Sequence, residues 1–355
     1  MTDSTLPGPD LEHPRLEHPV ADPERPRELL QAIADEPEML DRLRGRHVLS
    51  ASHFDARLLL QVMRQAARYE LGELGGNHPL RGKLLNNLFL DHSQCTGRLA
   101  FNAAWLHLGG NLLDFGPTVD QILSRRYAWD EIAELCSSYS DCTVLRTADA
   151  ETFQEMLPRF RVPVINAGDG QGEHPTHAMA DLYTLFKWRP ELLQDDPPRE
   201  KRLQIAIAGD PARTRTIRSF LRLLALFPNA VERVILMQRL ARGFAEGQRE
   251  ELEQAGLRID TLEEMCPATA DMEIIWQLMP AIDVMYVHQL HPVRVSRMQV
   301  EETIALMKPH AMVLSPEVQN ETAAGFLNDS PHNGYFAQAR GSVFVNMAVF
   351  AAVLG

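Results

Sequence analysis

Cysteine is scarce in this chain: Cys95, Cys136, Cys142 and Cys266 are spread over 355 residues without a CxxC spacing or a secretory leader before them. A disulfide framework is therefore not expected, and the expected location is the cytoplasm. Long apolar runs are missing as well, since the most apolar stretch, 343–354, falls short of the roughly 18 residues a membrane helix needs. Positive charge is in deficit: 35 Lys and Arg against 48 Asp and Glu give a formal charge of -13. That balance argues against nucleic acid or an anionic membrane as partner, and any anion has to be bound locally. What is present is the composition of a folding chain, 45% hydrophobic and 23% charged, too aliphatic for disorder. The length favours two domains of roughly 150 residues each.

Residues 1 to about 25 are rich in proline and acidic side chains and carry a doubled Leu-Glu-His-Pro, at 11–14 and 16–19. Such a segment buries little, so 1–45 is expected to be an N-terminal extension, largely flexible at its start, with His13 and His18 as parts of the repeat. From Lys83 onward, apolar runs at 84–90, 111–115, 142–145 and 162–166 alternate with amphipathic stretches. The stretch 96–108 has apolar residues at helical spacing and stops at Gly109-Gly110, as a helix with a glycine terminus does. The pattern restarts at 203–208, 233–237, 257–259, 282–287 and 311–314. This alternation predicts an α/β protein with parallel sheets, and the restart predicts two domains, 46–188 and 201–335, followed by 336–355. The break is placed at 188–201, where Pro190, Asp195, Asp196, Pro197 and Pro198 interrupt the pattern after a helix over roughly 174–187. Ligands of open α/β sheets bind beyond the carboxyl ends of the strands, so the loops after Leu90, Leu145, Asn166, Ala208 and Val287 are the expected place for chemistry.

Those loops hold recognisable residues. The run Asn166-Ala167-Gly168-Asp169-Gly170-Gln171-Gly172-Glu173-His174-Pro175-Thr176-His177 closely resembles the Asn-Ala-Gly-Asp-Gly…His-Pro-Thr-Gln segment of aspartate carbamoyltransferase catalytic subunits. Further matches follow in that family's order: Leu108-Gly109-Gly110-Asn111 with Asp114-Phe115, Gly209-Asp210 with Arg215-Thr216, Asp283-Val284-Met285-Tyr286, and Tyr335-Phe336-Ala337-Gln338-Ala339. The resemblance covers about residues 45–355. It implies the aspartate/ornithine carbamoyltransferase fold: two doubly wound parallel-sheet domains joined by interdomain helices, the first for carbamoyl phosphate, the second for an amino acid. It also implies a C-terminal helix returning to the first domain, carbamoyl transfer to an amine in pyrimidine biosynthesis, small anionic substrates, no cofactor, and a homotrimer or higher assembly.

That chemistry needs cations and N–H groups to hold the dianionic phosphate as it leaves, and donors to polarise the carbamoyl oxygen under attack. A strand-loop-helix turn serves as the cradle, because its N–H groups and the helix dipole point at the anion. Here that turn is 91–98, which puts Thr96 and Arg98 at the phosphate. The family's Ser-Thr-Arg-Thr-Arg reads Gln94-Cys95-Thr96-Gly97-Arg98 in this chain, so only the second arginine survives. Losing the first removes on the order of 3 kcal/mol or more of transition-state stabilisation. Arg125, with Arg126 beside it, stands where a neighbouring subunit lends a lysine to the phosphate; a solvated basic pair is the equal alternative.

Arg146 and His174 match the two donors to the carbamoyl oxygen, His177 belongs to the same subsite, and Arg215 matches an arginine for the amino-acid carboxylate. Arg213 and Arg218 read as helix-surface arginines. Gln289 and His291, in the run His288-Gln289-Leu290-His291, occupy a loop where the family has an arginine for the second carboxylate. Ser315-Pro316-Glu317-Val318 replaces the family's His-Pro-Leu-Pro turn and brings the negative charge of Glu317 towards an anion pocket. Three readings follow. One is a carbamoyltransferase with an altered substrate or weak activity. Another is a catalytically inactive homologue, structural or regulatory, in an assembly with a true carbamoyltransferase or other pathway subunit. The third is a metal site built from His174, His177, His288 and His291, with His92 and Glu317 near; the expected metal content is none.

Overall fold

The computed structural model describes residues 18–91, 95–113, 128–237, 243–265, 271–288, 302–316 and 330–355. Among them are nine strands: β1 (Leu84–Phe89), β2 (Asn111–Leu113), β3 (Cys142–Thr147), β4 (Val164–Asp169), β5 (Leu203–Ala208), β6 (Val231–Leu236), β7 (Ile259–Thr261), β8 (Val284–Val287) and β9 (Met312–Leu314). All nine expected runs form strands, with ends moved by a few residues. The fourth begins at Val164 rather than at 162 because Pro163 has no N–H to give to a ladder.

Two sheets result, in the orders β2-β1-β3-β4 and β7-β6-β5-β8-β9, and every pairing is parallel. Both faces of the strands are largely buried, as a parallel sheet covered on both sides demands, and each supplies apolar side chains to a core cluster. In β5, Ile205 and Ile207 enter one core cluster while Ala206 and Ala208 enter another. In β1, Leu85 and Phe89 face the first of these clusters and Leu88 faces a third. The first cluster runs through both sheets without a break and takes in the helices Pro175–Trp188 and Tyr335–Leu354. The fold is thus the expected pair of doubly wound sheets, joined by helices that share one core.

Every residue of the helix Pro175–Trp188 is buried except His177. Its last turn carries Lys187, 2% exposed, whose Nζ donates to Glu70 Oε1 at 2.8 Å, so this buried ammonium is paired. The C-terminal helix is longer than the apolar stretch seen in sequence. At 20 residues and mean hydropathy 1.4 it has the length and composition of a membrane span. It nevertheless packs on the helices Ala56–Glu70, Cys95–His107 and Pro175–Trp188, with Val345, Ala348, Val349 and Phe350 fully or nearly buried.

The N-terminal segment departs from expectation at its far end. His18 is not a solvated member of a repeat: it is 2% exposed, and Val20 is fully buried. The ring of His18 stands edge-on to Trp188 at 5.4 Å between centroids, its Nε2 faces the carbonyl of His310 at 3.4 Å, and its Nδ1 accepts from the Val20 N–H at 3.2 Å. Composition missed this because one aromatic contact and one buried valine suffice to dock a proline-rich segment. The segment 18–21 therefore touches at once the end of the helix Pro175–Trp188, the bridging helix between the two sheets, and the second sheet's periphery.

Burial pushes the His18 pKa down from 6.5 to about 4, despite the hydrogen bond to the His310 carbonyl. Between these values the unfolded chain takes up a proton that the folded chain refuses, so stability present at neutral pH is lost as the pH falls from 6.5 towards 4. Over that interval the wild type should lose more unfolding free energy than His18→Ala, by on the order of 3 kcal/mol, in denaturant titrations at each pH. Equal losses in the two proteins would show that His18 is not the group responsible.

Candidate active site

Each sheet reverses its strand order once, between β1 and β3 in the first and between β5 and β8 in the second. A crevice opens beyond the carboxyl ends of the strands at such a reversal, and it is where open α/β sheets bind ligands. Both reversals here face one cavity of about 260 Å³. Its wall includes Arg146 at the end of β3, His174 and His177 at the start of the bridging helix, Arg213 and Arg215 after β5, and His288 after β8.

The structure therefore brings together Arg146, His174, His177 and Arg215 from three separated stretches of sequence. Thr96 lies in the first turn of the helix Cys95–His107; Gly97 of that turn and Ala100 of the next line the cavity, whereas Arg98 is half-buried and is not part of the wall. Arg125, Gln289 and His291 lie outside the described residues, as do His92, Gln94, Arg126 and Glu317.

Arg146 is 3% exposed, which requires a counter-charge. Asp91, just beyond β1, provides it: Arg146 Nε donates to Oδ1 and Oδ2, each at 2.8 Å, and Nη1 donates to the Ala167 carbonyl at 3.3 Å. Arg215 Nη2 approaches the same carboxylate at 3.6 Å, while its Nη1 donates to the Gly170 carbonyl at 2.9 Å. Arg215 lies directly against the backbone of Gly168, where a Cβ would come within 2.7 Å of Nε, and Gly168 also holds φ at +125°. Only glycine meets both conditions.

His174 caps the amino end of the bridging helix, where Pro175 supplies the first-turn φ without needing a donor partner. Its backbone N–H donates to Ser219 Oγ at 3.0 Å. The preceding Glu173 fastens this corner: it accepts from the Ala51 N–H at 2.7 Å, from Ser219 Oγ at 3.2 Å and from Arg222 Nη1 at 2.5 Å. Burial, then His177, Arg146 and Arg215, hold the His174 pKa well below the ordinary histidine value. The ring is thus a neutral imidazole at physiological pH, suited to donate one N–H to an oxygen that gains negative charge. His177 lies 5.3 Å away, ring centroid to centroid.

Sequence reasoning missed three contributors. Asp91 was seen only as the start of the cradle, and nothing local announces that it meets an arginine 55 residues away. Arg213, read as a helix-surface arginine, lies in the turn before the helix Arg215–Leu224 and lines the cavity. Gln338 of the C-terminal helix lines it too, and the Gln338-Ala339 match noted above was the available signal. Among the described residues no group of three or more His, Cys, Asp or Glu side chains is arranged to hold a metal ion.

Comparison with known proteins agrees with this geometry. A family model described as the carbamoyl-phosphate-binding domain of aspartate/ornithine carbamoyltransferases matches residues 46–187. The aspartate carbamoyltransferase catalytic subunit of Dichelobacter nodosus is 28% identical over 337 residues, covering 87% of this chain and 90% of that protein. That of Methanopyrus kandleri is 28% identical over 324 residues, covering 88% of this chain and 98% of its own. Among solved structures, the aspartate transcarbamoylase of Trypanosoma cruzi in complex with carbamoyl phosphate and aspartate superposes with a TM-score of 0.75 at 25% identity, covering 89% of this chain and 99% of that one. With both sheets, the cavity between them and the matched stretches in agreement, residues 46–187 match the carbamoyl-phosphate-binding domain of the aspartate/ornithine carbamoyltransferases, and most of the chain is similar to aspartate carbamoyltransferase catalytic subunits.

Proposed function

We propose that this protein transfers the carbamoyl group of carbamoyl phosphate to an amino-acid amine, either weakly or onto an acceptor other than aspartate. The observation that carries the reading is the convergence of Arg146, His174 and Arg215 on one cavity. As the amine attacks the carbamoyl carbon, the oxygen there gains negative charge, which the Arg146 guanidinium and the neutral His174 imidazole meet as donors. The C–O bond to phosphate then breaks. Arg215, with Arg213 beside it, supplies cations for a carboxylate of the acceptor. Relatives with aspartate and carbamoyl phosphate bound support the substrate class. Weak turnover follows from the cradle, where the arginine beside the leaving oxygen is absent, and from Asp91, from which an incoming anion has to win Arg146.

The same Asp91 contact favours a second reading, a catalytically inactive homologue that takes a structural or regulatory place beside a true carbamoyltransferase subunit. Either way a trimer is the proposed state. Leu99 and Leu106, seven residues apart on the helix Cys95–His107, are 63% and 53% exposed, apolar surface of the kind an interface covers.

Purified protein supplied with carbamoyl phosphate and a panel of amines should form a carbamoylated product, and Arg146→Ala should lower the rate by about 10²- to 10³-fold. No product from any amine, together with no rise in melting temperature with millimolar phosphate or carbamoyl phosphate, would leave the inactive homologue as the account. In Gly168→Ala the new methyl group should push Arg215 aside, so KM for the acceptor should rise more than KM for carbamoyl phosphate; equal changes would place Arg215 elsewhere in the reaction. Light scattering should give three times the 40.0 kDa of one chain.

A further inference from the structure

His177 is the single residue of the bridging helix that is not buried; its side chain is 22% exposed and lines the cavity. One helical turn further on, Asp181 lies beneath it, with Oδ1 3.6 Å from His177 Nε2. Asp181 is wholly buried, and its carboxylate is held from two other elements. The Tyr286 hydroxyl, from β8, donates to Oδ2 at 2.8 Å, and Gln338 Nε2, from the C-terminal helix, donates to Oδ1. Gln338 is oriented in turn by the Ser315 N–H, which donates to its Oε1 at 3.2 Å. Isolating a carboxylate in a core is costly, so a network fitted around one beneath a cavity histidine calls for a use. An imidazole backed by a carboxylate has a set orientation, and its protonated form is stabilised.

We propose that His177, positioned by Asp181, is the base that takes the proton from the attacking amine. The proposal rests on the carbamoyl transfer proposed above and adds the step that transfer leaves open. The amine nitrogen forms its bond to the carbamoyl carbon and passes its surplus proton to an unprotonated ring nitrogen of His177. The C–O bond to phosphate then breaks, the phosphate keeps the electron pair, and the imidazolium returns its proton to phosphate or solvent. His177 Nε2 lies 3.6 Å from Asp181 Oδ1 and 3.4 Å from Gln338 Nε2, an amide nitrogen that already donates to the same carboxylate; with the Nε2 proton turned to Asp181, the lone pair stays on Nδ1, which makes no hydrogen bond among the described residues. The family motif has glutamine at this position, an amide that cannot accept a proton near neutral pH, so the base is a property of this sequence.

The charged and titratable groups facing His177 are Asp181 and His174 from its own helix, Arg146 from β3, Arg215 from the following domain and His288 after β8, with Gln338 alongside. Burial lowers its pKa below the ordinary histidine value; Asp181 opposes that shift, and Arg146, His288 and Arg215 reinforce it. At neutral pH the ring is therefore unprotonated and ready to accept.

The test is the pH profile of kcat for the wild type, His177→Gln, which restores the family's residue on a partly exposed site, and Asp181→Asn, each checked for folding by its melting temperature. The wild type should lose activity as the pH falls through a limb below the ordinary histidine range. His177→Gln should lower kcat by about 10²-fold or more and abolish that limb, and free imidazole should restore part of the rate to His177→Ala. Asp181→Asn should move the limb to lower pH. If the wild type carbamoylates no amine, both the base and the transfer are overturned. If it does so while His177→Gln keeps its kcat and its limb, or changes only KM for carbamoyl phosphate, the base alone is overturned.

Discussion

A guanidinium shut away from water must find a negative charge, and in this protein Arg146 finds it in Asp91. The pair spans the point where the first sheet reverses direction, so it ties the end of β1 to the end of β3 across the crevice the reversal opens. Arg215 reaches the same carboxylate from the start of the helix that follows β5, which links the second sheet to the first through one charge. The corner beside it is fixed by Glu173, which collects donors from the segment before the helix Ala56–Glu70 and from the helix Arg215–Leu224. Cavity shape and cavity charge thus have a common origin. The carboxylate that permits the buried Arg146 and draws in the half-buried Arg215 is also the first competitor of any anion seeking them.

Around this junction the two domains behave as one packed object. The helix Pro175–Trp188 has no solvent face of its own, since the C-terminal helix covers one side and the helix Arg215–Leu224 another. Its buried charges, Lys187 and Asp181, are paired within the core, and enclosing the helix joins the cores of both sheets. His177 escapes burial because it sits in the first turn, where the helix emerges at the carboxyl ends of the strands. The N-terminal segment adds a further tie, with His18 wedged between Trp188 and the carbonyl of His310.

Much of this was legible from local signals. Apolar runs of strand length, glycine at helix ends and the cluster of prolines near 190–198 are short-range features, and they located nine strands and their order along the chain. The stretch from Asn166 to His177 marked the site, because its glycines and the His-Pro start of a helix are needed for the turn itself. His18 was misjudged because composition averages over a segment, whereas docking depended on a single ring and a single valine. Arg213 has the 77% exposed side chain of a surface arginine, yet it also lines the cavity, because being next to a helix in sequence does not say which way the preceding turn faces.

By itself, then, the sequence determined the class of fold and the succession of elements, which follow from spacing and turn chemistry within a few residues, while Arg146, His174, His177 and Arg215 were marked by the resemblance of their motifs to those of carbamoyltransferases. Only the tertiary structure decided that Asp91 neutralises Arg146, that Gly168 yields its face to Arg215, and that Asp181 lies under His177 with Gln338 holding it. Those contacts depend on strand register and on the return of a helix 157 residues away, and such distances carry no local signature.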